Sequence, residues 1–247
     1  MGVVGIIPAR YASTRFPGKP LAMIGGKPMI QRTFEQAMKA SLDAVVVATD
    51  DARIFDAVRG FGGKVVMTRS DHRSGTDRCR EALDILGEPF DAVVNIQGDE
   101  PFIDPRQIDV LASLIRTGDV ALATLARKIS DLEELENTNA VKVVFDEKGD
   151  ALYFSRHPIP FVRGAEHSHW LERADFYRHI GLYAYAVDTL RHITSLPQGR
   201  LERNESLEQL RWLEHGLRIR VAVTDIESSY AIDTPEDLRS IPKDLIA

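Results

Sequence analysis

The chain is 247 residues long, 44% hydrophobic and 28% charged, which suits a globular protein with one large core or two small ones. A formal net charge of −6 argues against a nucleic-acid binder, and the lone Cys79 excludes an internal disulfide and gives no sign of a cysteine-based metal site. No apolar run approaches the roughly 18 residues of a membrane span, and Met1–Pro8 lacks the basic start and cleavage site of a signal peptide, so a cytoplasmic location is expected.

Gly2–Ile7 and Asp43–Ala48 are apolar runs of strand length, and between them Ile30, Phe34, Ala37 and Met38 recur at helical spacing. A helix is predicted over Ala52–Phe61, with Ile54, Val58 and Phe61 on one face. A short strand at Lys64–Met67 and a helix over Thr76–Leu86 follow. Asp91–Ile96 reads as a buried strand, Ile108, Leu111, Ala112 and Ile115 mark the next helix, and Val120–Leu125 is another strand. This alternation predicts a Rossmann-like α/β fold, a mostly parallel sheet with helices on both faces. The pattern changes near residue 137, where Val141–Phe145 and Ala151–Phe154 flank a hairpin signal at Asp146–Asp150. Ile159–His169 reads as a loop, His179–Tyr185 as a strand, Glu205–His215 as a helix ended by Gly216, and Arg218–Val223 as a strand. Thr234 then caps a last helix, with Pro235 in its first turn and Asp237 closing a box-like cap. The expected organisation is a single domain over residues 1–247 with a small β-rich insertion at about 137–180.

In an open α/β sheet, ligands sit beyond the carboxyl ends of the strands. The loop after the first strand, Pro8–Pro20, holds Arg10, Arg15 and Lys19 among small and turn-forming residues, a set suited to a triphosphate. It is not a Walker A loop, since Pro20 follows Gly18-Lys19, and a plain solvated basic loop is the competing reading. Gln97-Gly98-Asp99-Glu100-Pro101 follows the strand ending at Ile96; its carboxylate could hold Mg²⁺ against phosphate oxygens and Gly98 would let backbone approach a ligand, or the segment is only a strand-ending turn. Asp233, just before the last helix, either decorates that helix end or partners Asp99.

These loops, with the segments between them, are similar to those of the 3-deoxy-manno-octulosonate (Kdo) cytidylyltransferases, also called CMP-Kdo synthetases. The matching segments are IPARYASTRFPGKPL at Ile7–Leu21, GGKPMI at Gly25–Ile30, VATDD at Val47–Asp51 and VMTRSDHRSGTDR at Val66–Arg78. NIQGDEP at Asn95–Pro101, NAVKVV at Asn139–Val144, ALYFSR at Ala151–Arg156, RHIGLYAY at Arg178–Tyr185, LEQLR at Leu207–Arg211 and IDTPEDL at Ile232–Leu238 complete the series, in the family's order. Arg127–Asn137 and Phe161–Asp175 depart from the pattern.

The resemblance implies a nucleotidyltransferase that joins Kdo to CMP from CTP and releases diphosphate, for lipopolysaccharide biosynthesis. It implies Lys19, Asp99 and Asp233 as catalytic residues, with Asp99 and Asp233 holding Mg²⁺. Nucleotide contacts fall to Ala9, Arg10, Lys19, Ser74, Gly75, Thr76 and Gly98. Sugar contacts fall to Arg15, Gln97, Arg156, His179, Tyr183, Glu208 and Gln209. Ser74 equally suits a helix cap, Glu208 and Gln209 the polar face of a helix, and His179 a structural role. A homodimer using the 137–180 region is expected. An 8-amino Kdo relative, a sialic acid or a sugar 1-phosphate is the rival substrate. A glycosyltransferase is disfavoured because no two aspartates are spaced by one residue, and a non-catalytic nucleotide sensor would bind CTP without releasing diphosphate.

Overall fold

The structure is a computed structural model that describes residues 1–12, 16–227, 230, 232–242 and 245. In chain order the elements begin with β1 (Val3–Ala9), the two-residue strands β2 (Met23–Ile24) and β3 (Lys27–Pro28), α1 (Met29–Ala37), β4 (Ala44–Thr49), α2 (Ala52–Gly60) and β5 (Val65–Met67). They continue with α3 (Gly75–Leu86), β6 (Ala92–Asn95), α4 (Pro105–Arg116), β7 (Leu122–Lys128), α5 (Leu132–Glu136), β8 (Lys142–Phe145) and β9 (Ala151–Ser155). The last are α6 (Trp170–Arg173), β10 (Tyr177–Ala186), α7 (Val187–Ile193), α8 (Arg200–Glu205), α9 (Gln209–Glu214), β11 (Arg220–Val223) and α10 (Pro235–Arg239).

Among the described residues nine strands form one sheet, whose main path runs β11-β7-β10-β6-β1-β4-β5. β4 and β6 flank β1 in parallel, β5 lies parallel to β4, and β11 parallel to β7. β10 runs antiparallel to both β6 and β7, so on this path it alone opposes the common direction. The sheet is mostly parallel, as the alternating pattern predicts. Side chains alternate along β1 because successive Cβ atoms leave a strand on opposite faces. Val3 and Ile7 pack with Ile30, Ile54, Val58, Ile108 and Leu111 on one face. Val4 and Ile6 pack on the other with Cys79, Leu83, Leu190, Leu210 and Trp212. Burial on both faces is why these strands read as continuous apolar runs rather than as alternation.

Several expectations need correction. The helix predicted over Glu205–His215 starts only at Gln209, and an unpredicted helix, α8, ends at Glu205, because Ser206 takes a left-handed conformation at φ 53° and Leu207 turns inward to the core. A buried ion pair between Glu202 of α8 and Arg211 of α9, at 2.5 Å, joins the two helices. The strand predicted at Val120–Leu125 is shifted to Leu122–Lys128, where it gains β10 and β11 on its two sides. The hairpin β8–β9 forms as expected and joins the main sheet where Lys142 faces Arg178 of β10.

Parallel direction places the ends of β1, β4, β5, β6, β7 and β11 at one edge. The chain leaving β11 then crosses back over the sheet. Gln107 of α4, fully buried, donates to the carbonyls of Ile226 and Glu227 at 3.3 Å. Ile232 is also fully buried, in a small apolar cluster with Ile24, Met29, Phe16 and Phe102. Burying such a side chain is worth roughly 1.5–3 kcal/mol. The Ile232 amide donates to the Asp99 carbonyl at 3.2 Å, and the next residue is Asp233.

Candidate active site

Where the crossing chain meets the loops after β1 and β6, the two distant aspartates meet. The Lys19 ammonium donates to Asp99 Oδ2 at 2.9 Å, to Asp233 Oδ1 at 3.2 Å and to the Ile232 carbonyl at 2.8 Å. Lys19 stands on a single 3-10 turn, Lys19–Leu21, entered through Gly18 at φ 75°. A Cβ on Gly18 would also meet the Tyr11 ring at 3.0 Å, and the Gly18 amide donates to the Tyr11 carbonyl at 2.9 Å, which closes the loop after β1 on itself. Ser13, Thr14 and Arg15 of this loop lie outside the described residues, so Arg15 receives no placement. At Gly98 a Cβ would come within 2.9 Å of the Pro8 carbonyl, so the loops after β1 and β6 pack at a distance that glycine alone permits.

A cavity of about 280 Å³ lies over these loops and brings together Ala9, Arg10, Lys19, Ser74, Gly75, Gln97, Gly98, Asp99 and Asp233 from the predicted set. Thr234 caps α10, and the Asp237 carboxylate accepts from the amides of Asp233 and Thr234 at 2.9 and 2.8 Å. Those backbone donors hold the Asp237 carboxyl below its ordinary pKa. Asp237, rather than Asp233, is therefore the carboxylate that serves the helix end, which leaves Asp233 turned to Lys19.

Ser74 does cap α3, accepting from the Asp77 amide at 3.1 Å. This fixes the first turn of α3, where the Thr76 hydroxyl donates to Glu208 Oε2 at 2.7 Å. Burial raises the pKa of Glu208 above the usual carboxylate range. Glu208 opens on a second, wider cleft of about 920 Å³, which shares His72, Arg73 and Ser74 with the first. Gln97 links the loop after β6 to β10 by donating to the Gly181 carbonyl at 2.9 Å.

Arg156, His179, Tyr183 and Gln209, expected to contact sugar, line neither cavity. The Arg156 guanidinium donates to the carbonyls of Glu205, Thr138 and Ser206 at 2.7, 3.1 and 3.4 Å, pinning the α8–α9 corner to β9. His179 bonds through Nε2 to the Thr124 hydroxyl at 2.9 Å, and burial followed by the Arg178 charge pulls its pKa down to about 3. Its ring lies 5.4 Å from that of Tyr183, which meets Trp212 edge-on at 5.2 Å. Burial and the Glu208 charge push the Tyr183 hydroxyl well above its ordinary pKa. Gln209 is buried at the start of α9.

His72 and Arg78 also line the smaller cavity and were not among the predicted residues. Arg78 is 4% exposed. Its Nη1 donates to Thr68 Oγ1 at 2.6 Å and to the Arg69 carbonyl at 3.2 Å, and its Nη2 to Asp50 Oδ2 at 3.0 Å. It thus ties the loops after β4 and β5 to the start of α3. The signal was present in sequence: the paired aspartates of VATDD directly follow β4, and SGTDR opens α3.

Asp99, Asp233 and the Ile232 carbonyl already surround a positive charge, so this oxygen set fits a hard cation. Among the described residues no cluster of three or more His, Cys, Asp or Glu could hold a metal. Mg²⁺ needs only one or two carboxylates when substrate phosphates complete its shell.

A family profile described as cytidylyltransferase matches residues 4–219. The 3-deoxy-manno-octulosonate cytidylyltransferase of Parabacteroides distasonis is 54% identical over 242 residues, spanning 96% of both chains. That of Bacteroides thetaiotaomicron is 55% identical over 242 residues, spanning 97% of this chain and 96% of its own. A solved structure of CMP:2-keto-3-deoxy-manno-octonic acid synthetase complexed with CTP superposes with a TM-score of 0.89 at 43% identity, covering 97% of this chain and 96% of that one. By this whole-length likeness, the chain belongs to the 3-deoxy-manno-octulosonate cytidylyltransferase family.

Proposed function

We propose that the protein transfers CMP from CTP to the anomeric hydroxyl of Kdo, releasing diphosphate, in the activation of Kdo for lipopolysaccharide biosynthesis. The observation that carries this reading is the convergence of Lys19, Asp99 and Asp233, from three loops far apart in sequence, on one wall of the cavity that also presents Arg10. In the reaction the sugar oxygen forms a bond to the α-phosphorus, the bond to the β-phosphate oxygen breaks, and the hydroxyl proton passes to solvent. Arg10 and Lys19 neutralise the triphosphate, and Lys19 follows the charge that grows on the α-phosphate in the transition state. Asp99 and Asp233 would hold Mg²⁺, which when bound supplies further charge neutralisation and acidifies the attacking hydroxyl.

Cytosine selection is assigned to Arg73, Ser74, Gly75 and Thr76, at the start of α3 that Ser74 caps. Through its bond to Glu208, Thr76 connects that reading loop to the wider cleft, and Gln97 and Glu208, which line the two cavities, are assigned to the sugar. Diphosphate release with CTP, UTP and ATP in the presence of Kdo tests the assignment. CTP should be used, UTP much more slowly and ATP negligibly, since each polar group left unpaired by the wrong base costs roughly 1–3 kcal/mol. Equal rates with all three would remove the cytosine assignment. A product mass spectrum with Kdo and with 8-amino Kdo then distinguishes the sugars.

A homodimer is part of this proposal. Leu152 on the β8–β9 hairpin is 63% exposed and Phe161 on the following loop 74% exposed, large apolar side chains on the predicted insertion that a second copy would cover. No helix among the described residues is long and apolar enough to cross a membrane; a cytoplasmic location is proposed with the activity.

A further inference from the structure

Tyr11 and Arg53 line neither the smaller cavity nor the wider cleft, yet they meet beside the loop that supplies the smaller cavity with cations. Arg53, the second residue of α2, lays its guanidinium over the Tyr11 ring, with Cζ 3.3 Å from the ring centroid. A cation so placed is attracted by the negative face of the ring. Asp51 aims the guanidinium: Nε donates to Asp51 Oδ1 at 2.9 Å and Nη2 to Oδ2 at 2.7 Å, a planar two-point pair that lysine could not copy. Asp51 is anchored in turn, because it caps α2 by accepting from the Arg53 amide at 3.0 Å. The stack is thus rooted in the helix start that follows β4.

The phenol end of Tyr11 packs against Gly18, close enough that a Cβ there would lie 3.0 Å away, and the Tyr11 carbonyl accepts from the Gly18 amide. Tyr11 and Gly18 are therefore the two ends of a closed loop, and the residues just outside the closure are Arg10 and Lys19, both of which line the smaller cavity. Where Tyr11 sits decides where these two cations leave the backbone. We infer that Tyr11, gripped by Arg53 and Gly18, is a positioning residue that holds Arg10 and Lys19 ready for the triphosphate. This rests on the proposed binding of CTP in that cavity. A loop already fixed loses no further freedom when nucleotide arrives, whereas one released from the grip must be ordered at the expense of affinity.

Calorimetric titration with CTP, without sugar, tests this apart from turnover. Arg53→Met and Tyr11→Leu should each weaken CTP about fivefold, the factor that one cation–π contact of ordinary strength is worth. The double variant should be scarcely weaker than either, since both substitutions remove one contact. Tyr11→Phe, which keeps the ring, should stay within about twofold of the unmodified protein. In turnover, the KM for CTP should rise in step while the KM for Kdo holds, a split that a loss of folded protein would not produce. Arg53→Met that binds CTP like the unmodified protein, or losses that multiply in the double variant, overturn the inference. Arg10→Ala separates the two levels: if it binds CTP undiminished, the nucleotide reading of the cavity fails, and if it alone is weakened, only the positioning role fails. Arg53 is 59% exposed, so its variant carries the test even if Tyr11→Leu does not fold.

Discussion

Replacing Arg78 by alanine should unhinge the smaller cavity, the proposed nucleotide pocket, from behind. The pair Arg78–Asp50 has side-chain exposures of 5% and 16% at 3.0 Å, so removal of the guanidinium leaves a nearly buried carboxylate facing an empty space. Breaking a buried pair from one side costs about 3–5 kcal/mol. The residual access of water to Asp50 argues for the lower end, about 3 kcal/mol, with the stranded Thr68 hydroxyl and Arg69 carbonyl included. In a chain of this length that should lower the melting temperature by about 6–12 °C. Because Arg78 ties down the loops that flank Ser74 and Gly75, the KM for CTP should rise while the KM for Kdo stays close to normal. Denaturant unfolding of Arg78→Ala, Asp50→Asn and the double variant gives the coupling directly. A single-variant loss below about 0.5 kcal/mol, or a loss that simply adds to that of Asp50→Asn, refutes the hub role.

His179 makes stability depend on pH. The unfolded imidazole takes up a proton below about pH 6.5, whereas the folded one does so only near 3. Its contribution is therefore complete well above pH 6.5 and is lost as pH falls: unfolding free energies should drop by about 1.7 kcal/mol between pH 6.5 and 5, and the drop should shrink in His179→Gln. An unchanged slope would place the titration elsewhere. The dimer is checked by light scattering at micromolar concentration: the chain should give twice its 27.6 kDa, and Leu152→Asp should shift it toward the monomer. A monomer without substitution ends that part of the proposal.

Much of the fold was legible because its strands are buried on both faces. Runs such as Val3–Ile7 and Ala92–Asn95 cannot be loops, and the helices between them carry one apolar stripe. The α8–α9 break was hidden because Glu202, Ser206 and Arg211 are helix-compatible types. Only the tertiary pairing and the inward turn of Leu207 select the kinked path. Lys19, Ser74, Gly98 and Asp99 were legible at the site because each sits within a few residues of a strand end or helix start. Arg78 and Asp50 were not singled out, since a buried arginine on an amphipathic helix resembles a surface one until its partners are known. Asp233 stood between, with local sequence offering helix decoration and the structure giving that task to Asp237.

Steady-state turnover of Asp99→Asn, Asp233→Asn and the double variant, across a Mg²⁺ titration, addresses the meeting of these two aspartates most directly. One shared centre predicts that each single variant loses turnover severely with its fold intact, and that the double variant is scarcely worse than either, since groups acting as a unit do not add. Losses that multiply in the double variant, or near-normal turnover in Asp233→Asn, would show two independent carboxylates and contradict the account.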